Sequence, residues 1–323
     1  VTSPAPEDRL VVGLVTKTDA NPFFVTMRDA ALSRADELGV ELRAMAGRYD
    51  GDWETQVEAV ESLVAGGAAG ILITPSDPAA LADTVREARE AGVLVIALDT
   101  PFDPPDTVDA TFATDNFRAG ELIGRWARAR TDASVSEARI VTLDGSEAQI
   151  TVDVSRNQGF LSGFGIDIAD PTTMWDEDDP RLVGRAVTMG TAAGGQAAME
   201  DLIRQNPEIN VVYTVNEPAA AGAYSALEDA GKENDVLIVS VDGSCEGVGR
   251  VAAGEIDATS MQYPHKMAAL GVDAVVEYSK AGRKPQNTPG LDFHDTGVTL
   301  VTQHPTPAVP SITAEQALNE CWA

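Results

Sequence analysis

The stretch Pro78-Ala-Ala-Leu-Ala-Asp-Thr-Val-Arg-Glu-Ala-Arg-Glu-Ala-Gly-Val-Leu-Val-Ile-Ala-Leu-Asp99 decides the fold. Pro78–Ala91 reads as a helix, and Gly92 follows it where a left-handed C-cap needs glycine. Val93–Leu98 is then apolar at every position. A strand with no polar face must be covered on both sides, which is the situation in a parallel sheet between helices. Asp99 closes the stretch, at the end of the strand where open parallel sheets bind their ligands.

The same unit recurs along the chain. Apolar runs lie at Val11–Val15, Val40–Met45, Gly70–Thr74, Arg139–Leu143, Val211–Val215, Val236–Val241 and Ala258–Met261. Helical stretches at Phe23–Leu38, Trp53–Ala65, Asn116–Arg130, Val154–Phe164, Gly195–Asn206, Ala219–Ala230 and Lys266–Ala281 alternate with them. Asp52 is a plausible N-cap for the helix that begins at Trp53. Alternating strands and helices predict a doubly wound α/β fold. One series occupies residues 10 to 115, and a second begins after Thr114-Asp115-Asn116. The length of 323 residues also suggests two domains, at roughly 150 residues each.

Lys and Arg number 23 against 51 Asp and Glu, a formal charge of −28. Such a balance excludes nucleic acid as partner, since phosphate binding depends on cations, and disfavours anionic lipid surfaces. No apolar run approaches the roughly 20 residues of a membrane span. The start, Val1-Thr-Ser-Pro-Ala-Pro-Glu-Asp-Arg, lacks the basic-then-apolar pattern of a signal peptide, so either the protein is cytoplasmic or that segment has been removed; its composition favours the tether of a processed or lipid-anchored exported protein. The acidic stretch 171–181 reads as a solvated loop, because it lacks the spacing and glycine of a calcium loop.

At the other strand ends stand Thr16-Lys17-Thr18-Asp19-Ala20-Asn21-Pro22-Phe23-Phe24, Asp144-Gly145-Ser146, Asn216-Glu217-Pro218, Asp242-Gly243-Ser244 and Gln262-Tyr263-Pro264. Arg156 opens the helix after Asp144. Carboxylates accept, amides donate and accept, and guanidinium donates in a fixed fork. This mixture, with Phe rings for C–H surfaces, suits a polyhydroxylated ligand. The sequence contains no phosphate loop, no nucleophile elbow and no dinucleotide-binding glycine motif after the first strand. His265, His294 and His304 lack metal-ligand spacing. No enzyme activity, cofactor or metal is therefore expected.

Six motifs in order, Asn21-Pro-Phe-Phe24, Ile96-Ala-Leu-Asp99, Arg156-Asn-Gln-Gly-Phe160, Asn216-Glu217, Val241-Asp-Gly243 and Ala258-Thr-Ser-Met-Gln262, give a chain that resembles the type I sugar-binding proteins of bacterial ABC transporters, the ribose/allose/fructose-binding group. The resemblance runs from about residue 10 to 323. It implies two Rossmann-like lobes joined by a three-strand hinge, with crossings near Thr114–Asn116, Gln262 and Asp292–Gly297. The lobes would be residues 10–115 plus 263–293, and 116–262 plus 294–323. It further implies that Asn21, Asp99 and Lys17 bind hydroxyls from the first lobe and that Phe23 and Phe24 form its aromatic wall. Arg156, Asn216, Asp242 and Gln262 would complete the site from the second lobe.

Two departures argue against ribose. Thr100 stands where pentose binders carry Arg, and the second-lobe aromatic of those relatives falls on Gly190 or Thr191, with Trp175 a candidate replacement. Asp242-Gly-Ser-Cys245, Met261-Gln-Tyr-Pro, Asp295–Thr302 and the ending Cys321-Trp-Ala323 look like the fructose-binding members, in which such cysteines pair. The resemblance thus implies a Cys245–Cys321 disulfide and an extracytoplasmic location. The function expected is capture of a monosaccharide or polyol by a monomer that closes about its hinge and delivers the ligand to a membrane permease. The alternatives are the effector-binding domain of a sugar-responsive repressor, which would need a DNA-binding part, and an α/β enzyme acting on sugars.

Overall fold

A computed structural model describes residues 9–322. The proposed tether at residues 1–9 lies, but for Arg9, outside the described residues. In chain order the elements are β1 (Val11–Thr16), α1 (Pro22–Leu38), β2 (Glu41–Ala46), α2 (Trp53–Ala65), β3 (Gly70–Ile73), α3 (Pro78–Glu90), β4 (Leu94–Leu98), β5 (Ala110–Ala113), α4 (Asn116–Thr131), β6 (Ile140–Asp144) and α5 (Thr151–Phe164). There follow β7 (Leu182–Val187), α6 (Ala192–Gln205), β8 (Val211–Thr214), α7 (Glu217–Asp229), β9 (Leu237–Asp242), α8 (Cys245–Ala253), β10 (Ala258–Met261), α9 (Pro264–Ala281), β11 (His294–Asp295), β12 (Thr299–Thr302) and α10 (Ala314–Ala317).

The chain forms two compact units. Among the described residues, 9–114, 263–296 and Trp322 make the first, and Asp115–Gln262 with Gly297–Cys321 the second. The first unit carries a six-stranded sheet in the order β11-β5-β4-β3-β1-β2, parallel throughout. The second carries β12-β10-β9-β8-β6-β7, parallel except for the antiparallel pair β10–β12.

The apolar strands find their explanation in the first unit. Leu72, Leu94, Ile96 and Leu98 alternate with Ile71, Ile73, Val95 and Ala97. The former set packs with Met27 of α1 and Val272 of α9, the latter with Val60 of α2 and Val85 of α3. Successive side chains point to opposite faces, so each strand feeds two cores. The caps read from sequence are present: Asp52 Oδ1 accepts from Thr55 N at 3.3 Å, and Gly39 and Gly92 hold φ of 71° and 90°.

Sequence patterning passes over β5, β7, β11 and β12. These are short or edge strands: β7 is half-exposed along its length, and β11 has two residues. The boundaries expected from the resemblance need correction at three places. Asp115 belongs with the second unit, whereas Trp322 and residues 294–296, of which His294 and Asp295 pair with Phe112 and Ala113 of β5, belong with the first.

Candidate functional site

Because β1, β4, β6, β8, β9 and β10 run parallel within their sheets, their carboxyl ends gather on one edge of each, and the strand-end residues stand there. In the first unit β1 delivers Lys17, which is 4% exposed. Asn21 then caps α1, its Oδ1 accepting from Phe23 N at 2.9 Å, and Pro22 fits the first turn, where a missing N–H costs nothing. The cap leaves the Nδ2 donors of Asn21 outside that bond. Phe23 and Phe24 are buried, with ring centroids 5.4 Å apart in an edge-on arrangement. Phe23 also meets Trp322 edge-on at 5.3 Å, so the expected wall is a three-ring cluster seated in the core.

Asp99 ends β4. It holds φ of 66°, left-handed backbone that is costly for a residue with a Cβ. Its N–H donates to Phe112 O at 2.9 Å, and its Oδ2 accepts from Thr100 Oγ1 at 2.9 Å. Its Oδ1 is buried and has no hydrogen-bond partner. A strained, buried carboxylate with an orphaned acceptor is expensive, about 1–3 kcal/mol for the acceptor.

The second unit holds its residues as a network. Backbone contact between α4 and α5 brings Arg156 in: a Cβ on Gly120 would lie 2.0 Å from Arg156 O, and one on Gly159 would lie 2.1 Å from Phe117 O. Arg156 Nε then donates to Asn116 Oδ1 at 2.7 Å and Nη1 to Val215 O at 2.9 Å, with Asp242 Oδ1 3.8 Å from Nη1. Gln262 Nε2 donates to the same Asp242 oxygen at 2.9 Å. Asn216 caps α7, its Oδ1 accepting from Ala219 N at 3.1 Å, and its Nδ2 donates to Gly190 O at 3.0 Å. Arg156, Asp242 and Gln262 are thus brought together, with Asn216 following the carbonyl that Arg156 grips.

Two carboxylates in this unit were quoted from the sequence without a role. Glu217 Oε1 accepts from Gly243 N and Thr259 Oγ1, both at 2.8 Å, and its Oε2 accepts from Ser244 N at 3.0 Å and Ser244 Oγ at 2.6 Å. It clamps the turn after Asp242, where Gly243 has φ of 83° and a Cβ would collide with Met261. Burial, and next the Asp242 charge, push Glu217 from 4.5 up to about 7, against the pull of its donors. Asp144, at the end of β6, accepts from Thr142 Oγ1 at 2.8 Å, Asn157 Nδ2 at 2.7 Å and Trp175 Nε1 at 2.9 Å. Burial, and then the neighbouring Asp153, raise it from 3.8 to about 7.

Trp175, proposed as a replacement aromatic, is occupied otherwise. Its indole N–H serves Asp144, and the Arg185 guanidinium lies 4.9 Å from its ring centroid. The acidic stretch is likewise more than a solvated loop: Glu177 accepts from Gln158 Nε2 and from Trp175 N, and Asp179 pairs with Arg181. Trp175 and Glu177 border a cavity of about 280 Å³, which Asn157 and Arg185 also line. Met189 lies beside Asn216's anchor. It is 71% exposed, holds φ of 54°, and precedes Gly190, whose carbonyl Asn216 grips. Exposure cannot be read from one apolar residue, so no sequence signal marked it.

The cysteines pair: Cys245 and Cys321 form a disulfide with Cα atoms 4.9 Å apart. Among the described residues no helix is long and apolar enough to cross a membrane.

Comparison with known proteins matches residues 12–284 to the periplasmic binding protein domain. The ribose import binding protein of Salmonella typhimurium is 30% identical over 275 residues, 85% of this chain and 86% of that protein. The D-allose-binding periplasmic protein of Escherichia coli is 27% identical over 300 residues, 90% of this chain and 91% of that protein. Among solved structures, a galactofuranose binding protein superposes with a TM-score of 0.80 at 25% identity, covering 96% of this chain and 98% of that one.

Proposed function

We propose, from the premise that this chain belongs to the periplasmic binding protein domain family, that it is the extracytoplasmic sugar-binding component of an ABC transporter. It captures one monosaccharide or polyol between its two units by hinge closure and delivers it to a membrane permease. The two similar relatives named for ribose and allose support a monosaccharide. Fructose is preferred among the ligands because Asp242-Gly-Ser-Cys245 and Cys321-Trp-Ala323 resemble the fructose-binding members, and ribose is disfavoured because Thr100, and Gly190 or Thr191, are small where pentose binders carry bulkier groups.

The observation that carries this reading is the orphaned Asp99 Oδ1. A buried acceptor aimed at no protein donor is what a ligand hydroxyl satisfies, relieving a cost of about 1–3 kcal/mol. Lys17, Asn21, Phe23 and Phe24 complete the first half-site, and Arg156, Asn216, Asp242 and Gln262 form the second. Carboxylates here accept hydroxyl hydrogen bonds and perform no proton transfer. Closure is favoured because one ligand contacts both half-sites only in the closed state.

A thermal-shift screen over D-fructose, other hexoses, pentoses and sugar alcohols, followed by calorimetric titration, tests the reading. At least one compound is expected to raise the unfolding midpoint. Asp99→Ala is expected to abolish that rise, and a rise of undiminished size in the variant would refute the assigned site.

A further inference from the structure

The chain passes between the two units at Thr114–Asp115, Gln262–Tyr263 and Thr296–Gly297, and a fourth time at Cys321–Trp322. The fourth passage is anchored on both sides by side chains. Cys321 is bonded to Cys245, the first residue of α8, which follows Asp242-Gly243-Ser244 directly. Trp322 is 6% exposed in the apolar core that contains Phe23, Phe24 and Met27, and its ring meets Phe23 edge-on at 5.3 Å. Phe23 is also the residue whose N–H binds Asn21 Oδ1. A short covalent path therefore runs from the Asp242 turn, through the disulfide, to the ring that backs the Phe23 and Phe24 pair.

We infer that Trp322 is a positioning residue for the Phe23–Phe24 wall and that the Cys245–Cys321 disulfide keeps it seated, so that opening the bond weakens sugar binding. The inference rests on the sugar-binding reading above. A bulky aromatic buries 150–250 Å² and fixes its neighbours by edge-on packing. Holding Cys321 on α8 shortens the tether from which Trp322 seats and so raises its effective concentration. Without the bond the segment depends on its own local contacts, including Cys321 N donating to Ala317 O at 2.7 Å. The wall then samples orientations that bind less well, and apparent affinity falls with the competent fraction. Neither sulfur lies in a buried residue, so a reductant in solvent reaches the bond.

The test is a cycle measured by titration calorimetry with D-fructose, D-allose and D-ribose, at a temperature where far-ultraviolet circular dichroism shows every form folded. The forms are the oxidised chain, the chain reduced with a water-soluble phosphine, Trp322→Ala in both redox states, and Trp322→Phe. The phosphine and one water convert the disulfide to two thiols and the phosphine to its oxide. Reduction and Trp322→Ala should each raise Kd about five- to thirtyfold. Reducing Trp322→Ala should add little, because both changes remove one interaction. Trp322→Phe should stay within about threefold of wild type, since a ring still backs Phe23. A role confined to stability would lower the melting temperature and leave Kd unchanged, and that outcome, or additive losses, overturns the inference. Should Trp322→Ala not fold, Trp322→Leu takes its place in the cycle. If the oxidised wild type binds neither these three sugars nor any compound of the thermal-shift screen, the sugar-binding reading falls and this inference with it; if it binds and Kd is insensitive to reduction, only this inference falls.

Discussion

On the first unit's sheet edge, Asp99 keeps one buried carboxylate oxygen without a partner and a backbone at φ of 66°. On the second unit's edge, Asp242 accepts from Gln262 Nε2 at 2.9 Å and lies 3.8 Å from Arg156 Nη1, while Glu217 clamps the turn behind it. Both edges offer carboxylate and amide groups, yet they spend conformational energy differently. On the second, Asp242 has partners within its own unit, the amide of Gln262 and the nearby guanidinium of Arg156. The first carries an unsatisfied acceptor and strained backbone, held by the apolar strands on both sides. In the proposed site, pre-organisation would lower the cost of binding on one side, and an unmet hydrogen bond would raise the gain on the other.

The sharpest way to break this comparison is to delete each carboxylate and separate stability from affinity. Asp99→Gly removes the orphaned oxygen and relaxes the left-handed backbone, so the ligand-free chain should be at least as stable as wild type, with a gain on the order of 1 kcal/mol. Asp242→Ala strips Arg156 and Gln262 of a shared acceptor and should destabilise the ligand-free chain by about 2–3 kcal/mol. Both should weaken sugar binding by roughly a hundredfold or more. Chemical denaturation without sugar, paired with calorimetry, checks this, and equal stability losses in the two variants would erase the contrast.

The contrast also marks what was legible beforehand. Doubly wound architecture was readable because each apolar strand serves two cores and each helix announces its ends, as at Asp52 and Gly92. The strand-end residues were readable because chain order places them on one edge of a parallel sheet. Hydrogen-bond direction was not. Asn21 and Asn216 use one oxygen each to cap helices, which only the backbone geometry reveals. Glu217 was quoted beside Asn216 without a role, since its four donors come from segments distant in sequence. Trp175 looked available from sequence because nothing local foretold Asp144 as its partner. Trp322 packs against Phe23 across nearly the whole chain length, a contact without any local signature.

The second unit should also show a pH signature near neutrality from two buried carboxylates. Asp144 is held at about 7 in the folded chain by burial and by Asp153, against an ordinary 3.8. Between those values the folded chain retains a proton that the unfolded chain has released. The stability this contributes is full below about pH 4 and is lost as pH rises through 7, with a slope of at most about 1.4 kcal/mol per pH unit. Glu217, raised from 4.5 to about 7, acts with the same sign. Melting temperature should therefore fall between pH 5.5 and pH 8. Asp144→Asn, which keeps the shape and cannot ionise, should flatten part of that fall. An Asp144→Asn profile parallel to wild type would place the proton elsewhere.

The smallest expected effect tests whether the second half-site is as complete as its hydrogen bonds suggest. The first half-site has an apolar pair in Phe23 and Phe24, whereas the indole of Trp175 in the second is committed to Asp144 and Arg185. Met189 is the large apolar side chain left exposed beside Asn216's anchor, on backbone at φ of 54° that an ordinary side chain occupies at a cost. A flexible thioether can follow the C–H face of a sugar where no ring is present. Met189→Ala should change ligand-free stability by less than about 0.5 kcal/mol, because the side chain packs little in the absence of ligand. Affinity for the sugar found in the screen should drop about three- to tenfold, the equivalent of partly burying its methylenes. Calorimetry on this variant beside Asn216→Ala distinguishes the cases. A Met189→Ala Kd equal to wild type would leave the second half-site purely polar, and the apolar face of the ligand would then be held by Phe23 and Phe24 alone.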